Sequence, residues 1–161
     1  FLRRATAEDC AMIAEWLNDP SRIAMLSSNL RAGGLSAQTI NVALRRKDQV
    51  WMLFAPERSA SPVGLVALDN IDLIDRIANL WFLLGDRRME GRGLTSAAIA
   101  AFCAANPAGL HTATAWVVAG NGASLRCLEK AGFSEIGRVF EGVRWENGWR
   151  DRILMQTRLE P

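Results

Sequence analysis

The feature that most constrains this chain is an abrupt change of period. Ile77 to Leu84 is an apolar run, Gly85 to Gly93 is polar and glycine-bearing, and an alanine-rich stretch follows at once. A short continuous apolar run suits a strand buried on both faces. Gly91 to Asn106 reads as a helix, closed by Pro107-Ala108-Gly109. A buried strand that turns through glycines straight into a helix points to a layered fold, a sheet with helices packed on it.

The rest of the chain agrees. Leu2 to Ala5 reads as a first strand, and Thr6-Ala7-Glu8-Asp9 offers a capping box for a helix with Cys10, Ile13 and Leu17 on one face, ended by Asn18-Asp19-Pro20. Ser21 to Leu30 reads as a weak second helix broken by Arg31-Ala32-Gly33-Gly34. Ser36 caps a third that reaches Arg46, with Ile40, Ala43 and Leu44 inward. Val50 to Phe54 and Val63 to Leu68 read as strands about a turn at Ser59 to Pro62, and Asp69 to Asp75 as a polar connection. His111 to Val118 is a further strand and Ser124 to Ala131 a helix stopped by Gly132. From Phe133 the tail is a hairpin about Glu146-Asn147-Gly148. With no internal repeat or linker, residues 1–161 read as one α/β (α+β) domain.

Composition limits the chemistry. The 161 residues include no tyrosine, one histidine (His111) and three cysteines (Cys10, Cys103, Cys127) without C-x-x-C spacing. A histidine–cysteine metal site lacks ligands, a Ser-His-Asp mechanism would have to use His111, and no phenol can serve as acid or base. The cysteines read as free thiols of a reducing compartment, and hence of a cytoplasmic protein. With 19 basic and 17 acidic residues the balance argues against nucleic acid as partner, and no apolar run is long enough for a membrane helix. The chain begins Phe1-Leu2-Arg3-Arg4, without methionine or signal-peptide features, and is read as starting within a longer one.

Two stretches carry chemistry. Around Arg88-Met89-Glu90-Gly91-Arg92-Gly93, glycines let backbone approach an anion and the new helix adds positive potential at its start, which suits a pyrophosphate; Arg88 and Arg92 can add charge. No Gly-Lys-Ser/Thr follows, and Ser96 stands where G-x-G-x-x-G needs glycine. Taken alone, a ligand-free strand-to-helix turn is the plainer account. The second stretch runs from Asn121 to Phe133. Asn121 or Ser124 caps its helix, Leu125 and Leu128 face the core, and Gly132 ends it. What a helix alone does not explain is why both turns follow adjacent apolar strands in this order.

Arg88-x-x-Gly91-x-Gly93 resembles the acetyl-CoA pyrophosphate motif of the GNAT superfamily of N-acetyltransferases. Asn121-x-x-Ser124 with Leu128-Glu129-Lys130-Ala131-Gly132-Phe133 resembles its second cofactor motif. Leu2-Arg3-Arg4-Ala5-Thr6, Trp16-Leu17-Asn18-Asp19-Pro20 and the Asn147-Gly148-x-x-Asp151 hairpin resemble the branch of ribosomal-protein alanine N-acetyltransferases and their small-molecule relatives. The resemblance spans nearly the whole chain. It implies a mixed, mostly antiparallel sheet of about seven strands, splayed at its centre, with helices on both faces. It implies acetyl-CoA as cosubstrate, held by Arg87, Arg88, Met89, Glu90, Gly91, Arg92, Gly93, Leu94 and Thr95, with Asn121 and Ser124 near the pantetheine and the sulfur and Arg126, Cys127 and Lys130 as further cofactor contacts. Phe82, Leu83 and Leu84 would pair with the pantetheine amides as an added half-strand.

The resemblance also locates the missing tyrosine. Relatives often hold a tyrosine acid on the second helix, and its place here is Leu128; the branch's usual candidate is the serine, so Ser124 is the expected partner of the leaving thiolate. Cys127 reads as a core thiol rather than a nucleophile. The family's strand glutamate falls at Asn79, which can orient an amine but cannot take its proton. Glu141 is the leading candidate base, ahead of Asp75, with Asp72 and His111 behind, and proton loss to solvent is a further alternative. Trp51, Trp81 and Trp116 read as core or cleft wall, and Trp145 and Trp149 as hairpin packing, an acceptor wall or a homodimer contact. Arg144, Arg150 and Arg152 suit an anionic acceptor or a solvated strand face. The expected function is acetyl transfer to a primary amine, either a protein N-terminus or a small amine such as an amino sugar. The competing readings are a non-catalytic acyl-CoA-binding module and a ligand-free structural domain.

Overall fold

The computed structural model describes residues 1–26, 34–58 and 60–159. Seven strands form one sheet: β1 (Leu2–Arg4), β2 (Val50–Phe54), β3 (Gly64–Asp72), β4 (Ile77–Leu84), β5 (Thr112–Val118), β6 (Ser134–Trp145) and β7 (Gly148–Arg158). Their order across the sheet is β1-β2-β3-β4-β5-β7-β6. Every neighbouring pair is antiparallel except β4 and β5, which run parallel and are joined by a helical crossover. The described helices are α1 (Cys10–Asn18), α2 (Pro20–Ile23), α3 (Ala37–Leu44), α4 (Leu94–Ala105) and α5 (Gly122–Lys130), with short 3-10 turns at Ala7–Asp9 and Arg87–Met89.

Val63 to Leu68 and Leu80 to Leu84 read as apolar runs because the central strands are covered on both faces there. Val66 and Leu68 of β3 join Ala78 and Leu80 of β4 in one core, together with Ile99 and Phe102 of α4 and Leu128 of α5. The intervening Leu65 and Ala67 join Trp51, Leu53 and Leu83 in the other, against Ile13 and Leu17 of α1 and Ile40 of α3. A strand's period of two makes this division without further instruction. The expected layers are thus present.

Between β4 and β5 the ladder is short: Ile77, Ala78 and Asn79 pair with Thr112, Ala113 and Thr114, and no pairing follows. Beyond Asn79 the strands diverge, and this is the expected central splay.

Several boundaries differ from the sequence-based expectation. The second helix is the single turn α2, started by Pro20 and capped by Asp19, whose carboxylate accepts from the Ser21 amide at 2.9 Å. Ala24 to Leu26 continue as a turn, residues 27–30 and the Arg31–Gly33 part of the break lie outside the described residues, and so does Ser59 of the expected turn. Asp69 to Asp72 is not a connection but the end of β3. Asn70 turns through a left-handed φ of 51° at a bulge, so the pairing Asp69↔Asn79 is followed by Asp72↔Ile77. Helix α4 begins at Leu94 rather than Gly91, because Gly91 and Gly93 adopt φ of 74° and 73°. The tail hairpin turns on Glu146 and Asn147, Gly148 already pairing with Trp145.

The first strand is fastened to the first helix by charge. Arg3 donates to both oxygens of Asp9 at 2.7 Å, and the Asp9 carboxylate reaches back to the Thr6 amide at 2.8 Å. Asp9 is buried, and these donors, the Arg3 guanidinium first, hold its carboxyl below the ordinary carboxylate range.

Candidate active site

The splay opens a cleft of about 470 Å³. One wall is the diverging end of β4, Leu80 to Leu84; the other is Ala115 to Val117 of β5 with Ala123, Ser124, Arg126 and Cys127 of α5. Past Asn79 the β4 edge that faces β5 has no strand partner, so its backbone groups are available to an extended ligand.

At one end the cleft reaches the glycine turn through Arg87, Glu90, Gly91 and Thr95. A methyl group built on Gly91 or Gly93 would meet nothing within 4 Å, so these glycines answer to backbone conformation and leave an open concavity. Gly93 is the N-cap of the 12-residue α4, whose first-turn amides have no carbonyl within the helix to bond. Gly85 is different. Its missing Cβ is replaced by the ring of Trp16, so here glycine is required by packing.

The arginines divide in an unexpected way. Arg88, the expected contributor of charge, donates through Nε and Nη2 to Asp86 at 2.9 and 2.8 Å and lies outside the cleft lining. Arg87 lines the cleft, its Nε bonded to Glu90 Oε1 at 3.0 Å. Met89 and Leu94 pack against the core, while the exposed Arg92, Gly93 and Lys130 are not part of the cleft wall. Ser21, Arg22, Met25 and Leu26 do line it, contributed by α2 and the turn after it. Nothing in that weak helical stretch marked them in the sequence.

On α5 the cap is resolved in favour of Asn121, whose Oδ1 accepts from the Ser124 amide at 3.1 Å. The Ser124 hydroxyl faces the cleft and makes no hydrogen bond to the described residues. Cys127, one turn on, both packs against the core and lines the cleft, and burial pushes its thiol pKa up. Leu128 is completely buried and lines neither this cleft nor its neighbour.

That neighbour, of about 320 Å³, shares Met25, Leu26, Leu80, Trp81, Trp116 and Val117 with the cleft and continues it towards the bulged end of β3. Asp69 and Asn79 line it from directly opposed positions on β3 and β4. Asn79 Nδ2 donates to Asp69 Oδ1 at 2.9 Å, and Asn70 Nδ2 donates to the same oxygen at 3.1 Å. Burial pushes the Asp69 carboxyl pKa up, against those two neutral hydrogen bonds. Asn79 Oδ1 is buried with no partner among the described residues. Across the cavity Arg152 stands over the Trp116 ring, 5.5 Å from its centroid.

The carboxylates favoured from the sequence are elsewhere. Glu141 is exposed on a β6 bulge at φ 50°, with its amide donating to Asp151 Oδ1 at 3.0 Å. Asp72 accepts from the amides of Ile74 and Asp75 in the β3–β4 turn, and His111 is exposed at the paired end of the sheet. None of them, nor Asp75, lines either cavity. The sequence pattern places Asp69 in a loop, and its alignment with Asn79 exists only because β3 extends to Asp72.

A sheet parted between two parallel strands, with a left-handed glycine turn at one end of the gap, is the arrangement against which known proteins can be compared. Residues 1–134 match the family model of the acetyltransferase (GNAT) domain. The chain belongs to the GNAT acetyltransferase family. As such it is an N-acetyltransferase with acetyl-CoA as cosubstrate. Among solved structures this acetyltransferase is similar to a spermidine N-acetyltransferase from Vibrio cholerae in complex with CoA and spermine, at 18% identity and TM-score 0.86, covering 99% of this chain and 95% of that one. It is also similar to a chimera of that enzyme with hSSAT (18%, TM-score 0.83, 99% and 95%) and to a single-substitution mutant (19%, TM-score 0.82, 99% and 95%). No curated protein matches the sequence. Among the described residues of this acetyltransferase no cluster of side chains could hold a metal ion, and no helix is long and apolar enough to cross a membrane.

Proposed function

We propose that this acetyltransferase holds acetyl-CoA in the splay cleft and acetylates a small primary amine lodged in the adjoining cavity beside Asp69. The observation that carries this reading is the continuity of the two spaces through six shared residues, with a thiolate partner on one side and a carboxylate on the other. The open glycine turn, the α4 amides and Arg87 suit the donor's pyrophosphate, and the free edge of β4 at Phe82 to Leu84 suits its pantetheine amides. Acetyl-CoA supplies an activated acyl group, so that one C–N bond forms as one C–S bond breaks.

The chain's own groups then have two tasks. Asp69 takes the proton the amine loses; burial raises its basicity, which matches a base to neutral conditions better than an exposed carboxylate would. Asn79 Oδ1, otherwise unpartnered, accepts a second amine N–H and fixes the direction of the lone pair. Ser124, with its hydroxyl free towards the cleft, donates to the departing sulfur. The Vibrio cholerae enzyme solved with spermine supports an amine acceptor in general terms.

Acetyl-CoA should raise the melting temperature by binding the folded state, and primary amines should then release free thiol. A protein that binds acetyl-CoA but releases no thiol with any amine is a binding module instead. The three unpaired thiols support a reducing, cytoplasmic setting. Ile136 and Phe140, exposed on the edge strand β6, support a homodimer, which sedimentation equilibrium would test.

A further inference from the structure

Among the described residues lining the acceptor cavity, Asp69 and Arg152 alone are ionisable. They carry opposite charges, yet they are not paired with each other. Asp69 is bonded only to the neutral side chains of Asn70 and Asn79. Arg152 enters no ion pair with the described residues and rests on Trp116 instead. A third group, Asn79 Oδ1, is a buried acceptor without a donor. Unpaired charges and an orphaned acceptor in one pocket are costly unless a ligand completes them.

We propose that the acceptor is a small primary amine that also carries an anionic group, a carboxylate or a phosphate, with its nitrogen between Asp69 and Asn79 and its anion on Arg152. This rests on the acetyltransferase reading above. Each unsatisfied group then has its complement: the amine donates to Asn79 Oδ1 and Asp69, and the guanidinium takes an oxyanion in charge-assisted hydrogen bonds. Leu26, Leu80, Trp81 and Trp116 line the space between the two ends with aliphatic and indole surface. A polyamine would bring further positive charge against Arg152 with one carboxylate to offset it. A neutral amine would leave Arg152 without a counter-ion. A site built in this way discriminates chiefly against molecules that leave its polar groups unpaired.

The test uses matched acceptors with acetyl-CoA: glucosamine phosphate against glucosamine, leucine against leucinamide, and spermidine. The anionic member of at least one pair is expected to have a kcat/KM about tenfold or more above its neutral partner. Which pair responds distinguishes phosphate from carboxylate. Arg152→Gln should raise KM for that acceptor and bring the ratio towards one, with partial recovery in Arg152→Lys. If the variant does not fold, the ratios of the wild-type protein decide alone. Equal or better use of the neutral members or of spermidine would overturn the proposal, as would silence of the whole panel in a protein whose melting point acetyl-CoA raises. Absence of that thermal shift would instead overturn the transferase reading itself.

Discussion

Asn79 faces Asp69 across the β3–β4 ladder and gives its side-chain amide to Asp69 Oδ1 at 2.9 Å, while its own oxygen stays buried and unpartnered. Such a pair costs the fold stability unless a ligand completes it. Because burial raises the Asp69 pKa, the folded protein holds this proton more tightly than the unfolded chain does. Stability from this group is therefore gained as pH falls through the raised value and lost above it. Asp69→Asn cannot ionise, so it should melt no lower than wild type at neutral pH while losing activity. Calorimetry across pH, beside thiol release, checks both halves.

Arg3 and Asp9 have the opposite sign. The Asp9 carboxyl is held low by the Arg3 guanidinium, so its contribution is present above its unfolded pKa and lost as pH falls through the lowered folded value. Asp9→Ala removes the bonds to Arg3 and to the Thr6 amide. Urea unfolding at neutral pH should show a loss of about 1 to 3 kcal/mol, narrowing in acid.

Glycine variants should separate packing from conformation. Gly85→Ala drives a methyl group into the Trp16 ring and should lower the urea midpoint sharply. Gly93→Ala meets no atom within 4 Å and costs about 1 to 2 kcal/mol for its left-handed backbone alone. It should fold and bind acetyl-CoA more weakly, as isothermal titration would show.

Much of this fold was legible because both faces of the sheet are covered. Val50 to Phe54 and Ile77 to Leu84 read as strands at their observed limits, for a strand covered on both faces is a near-continuous apolar run, here interrupted only at Asn79. What was hidden depended on polar residues in ordered backbone. Asp69 to Asp72 looked like a loop, although a bulge at Asn70 keeps it in the sheet and brings Asp69 opposite Asn79. The glycine turn was found by spacing, yet which arginine faces the cleft was not, because Arg87 and Arg88 are adjacent and only the Asp86 pairing separates them. Glu141 failed to reach either cavity for a similar reason: the bulge that carries it, at φ 50°, has no periodic signature.

Ser124→Ala keeps the amide that donates to Asn121 Oδ1, so α5 retains its cap. Turnover should fall about tenfold to a hundredfold, as for one lost donor to developing charge, with acetyl-CoA affinity nearly intact. Asn121→Ala should instead cost stability, about 1 kcal/mol for the lost cap. Steady-state kinetics and denaturation together distinguish the two.

The thiols provide a footprint. Cys127 lines the cleft, whereas Cys103 does not and has its pKa pushed up to about 11 by burial. Under mildly alkaline maleimide, Cys127 should label slowly and acetyl-CoA should protect it, while Cys103 should be indifferent to acetyl-CoA. Peptide mass mapping reads both.

The most direct measurement is single-turnover formation of N-acetylated amine from bound acetyl-CoA, followed across pH in wild type and in Asp69→Asn. The wild-type rate should rise with pH to a plateau as Asp69 loses its proton, and the variant, still binding acetyl-CoA, should be about 100-fold slower or worse and lack that rise. A variant that matches the wild-type rate and profile would contradict the assignment of Asp69, and a wild-type protein that forms no acetylated amine would contradict the transferase account itself.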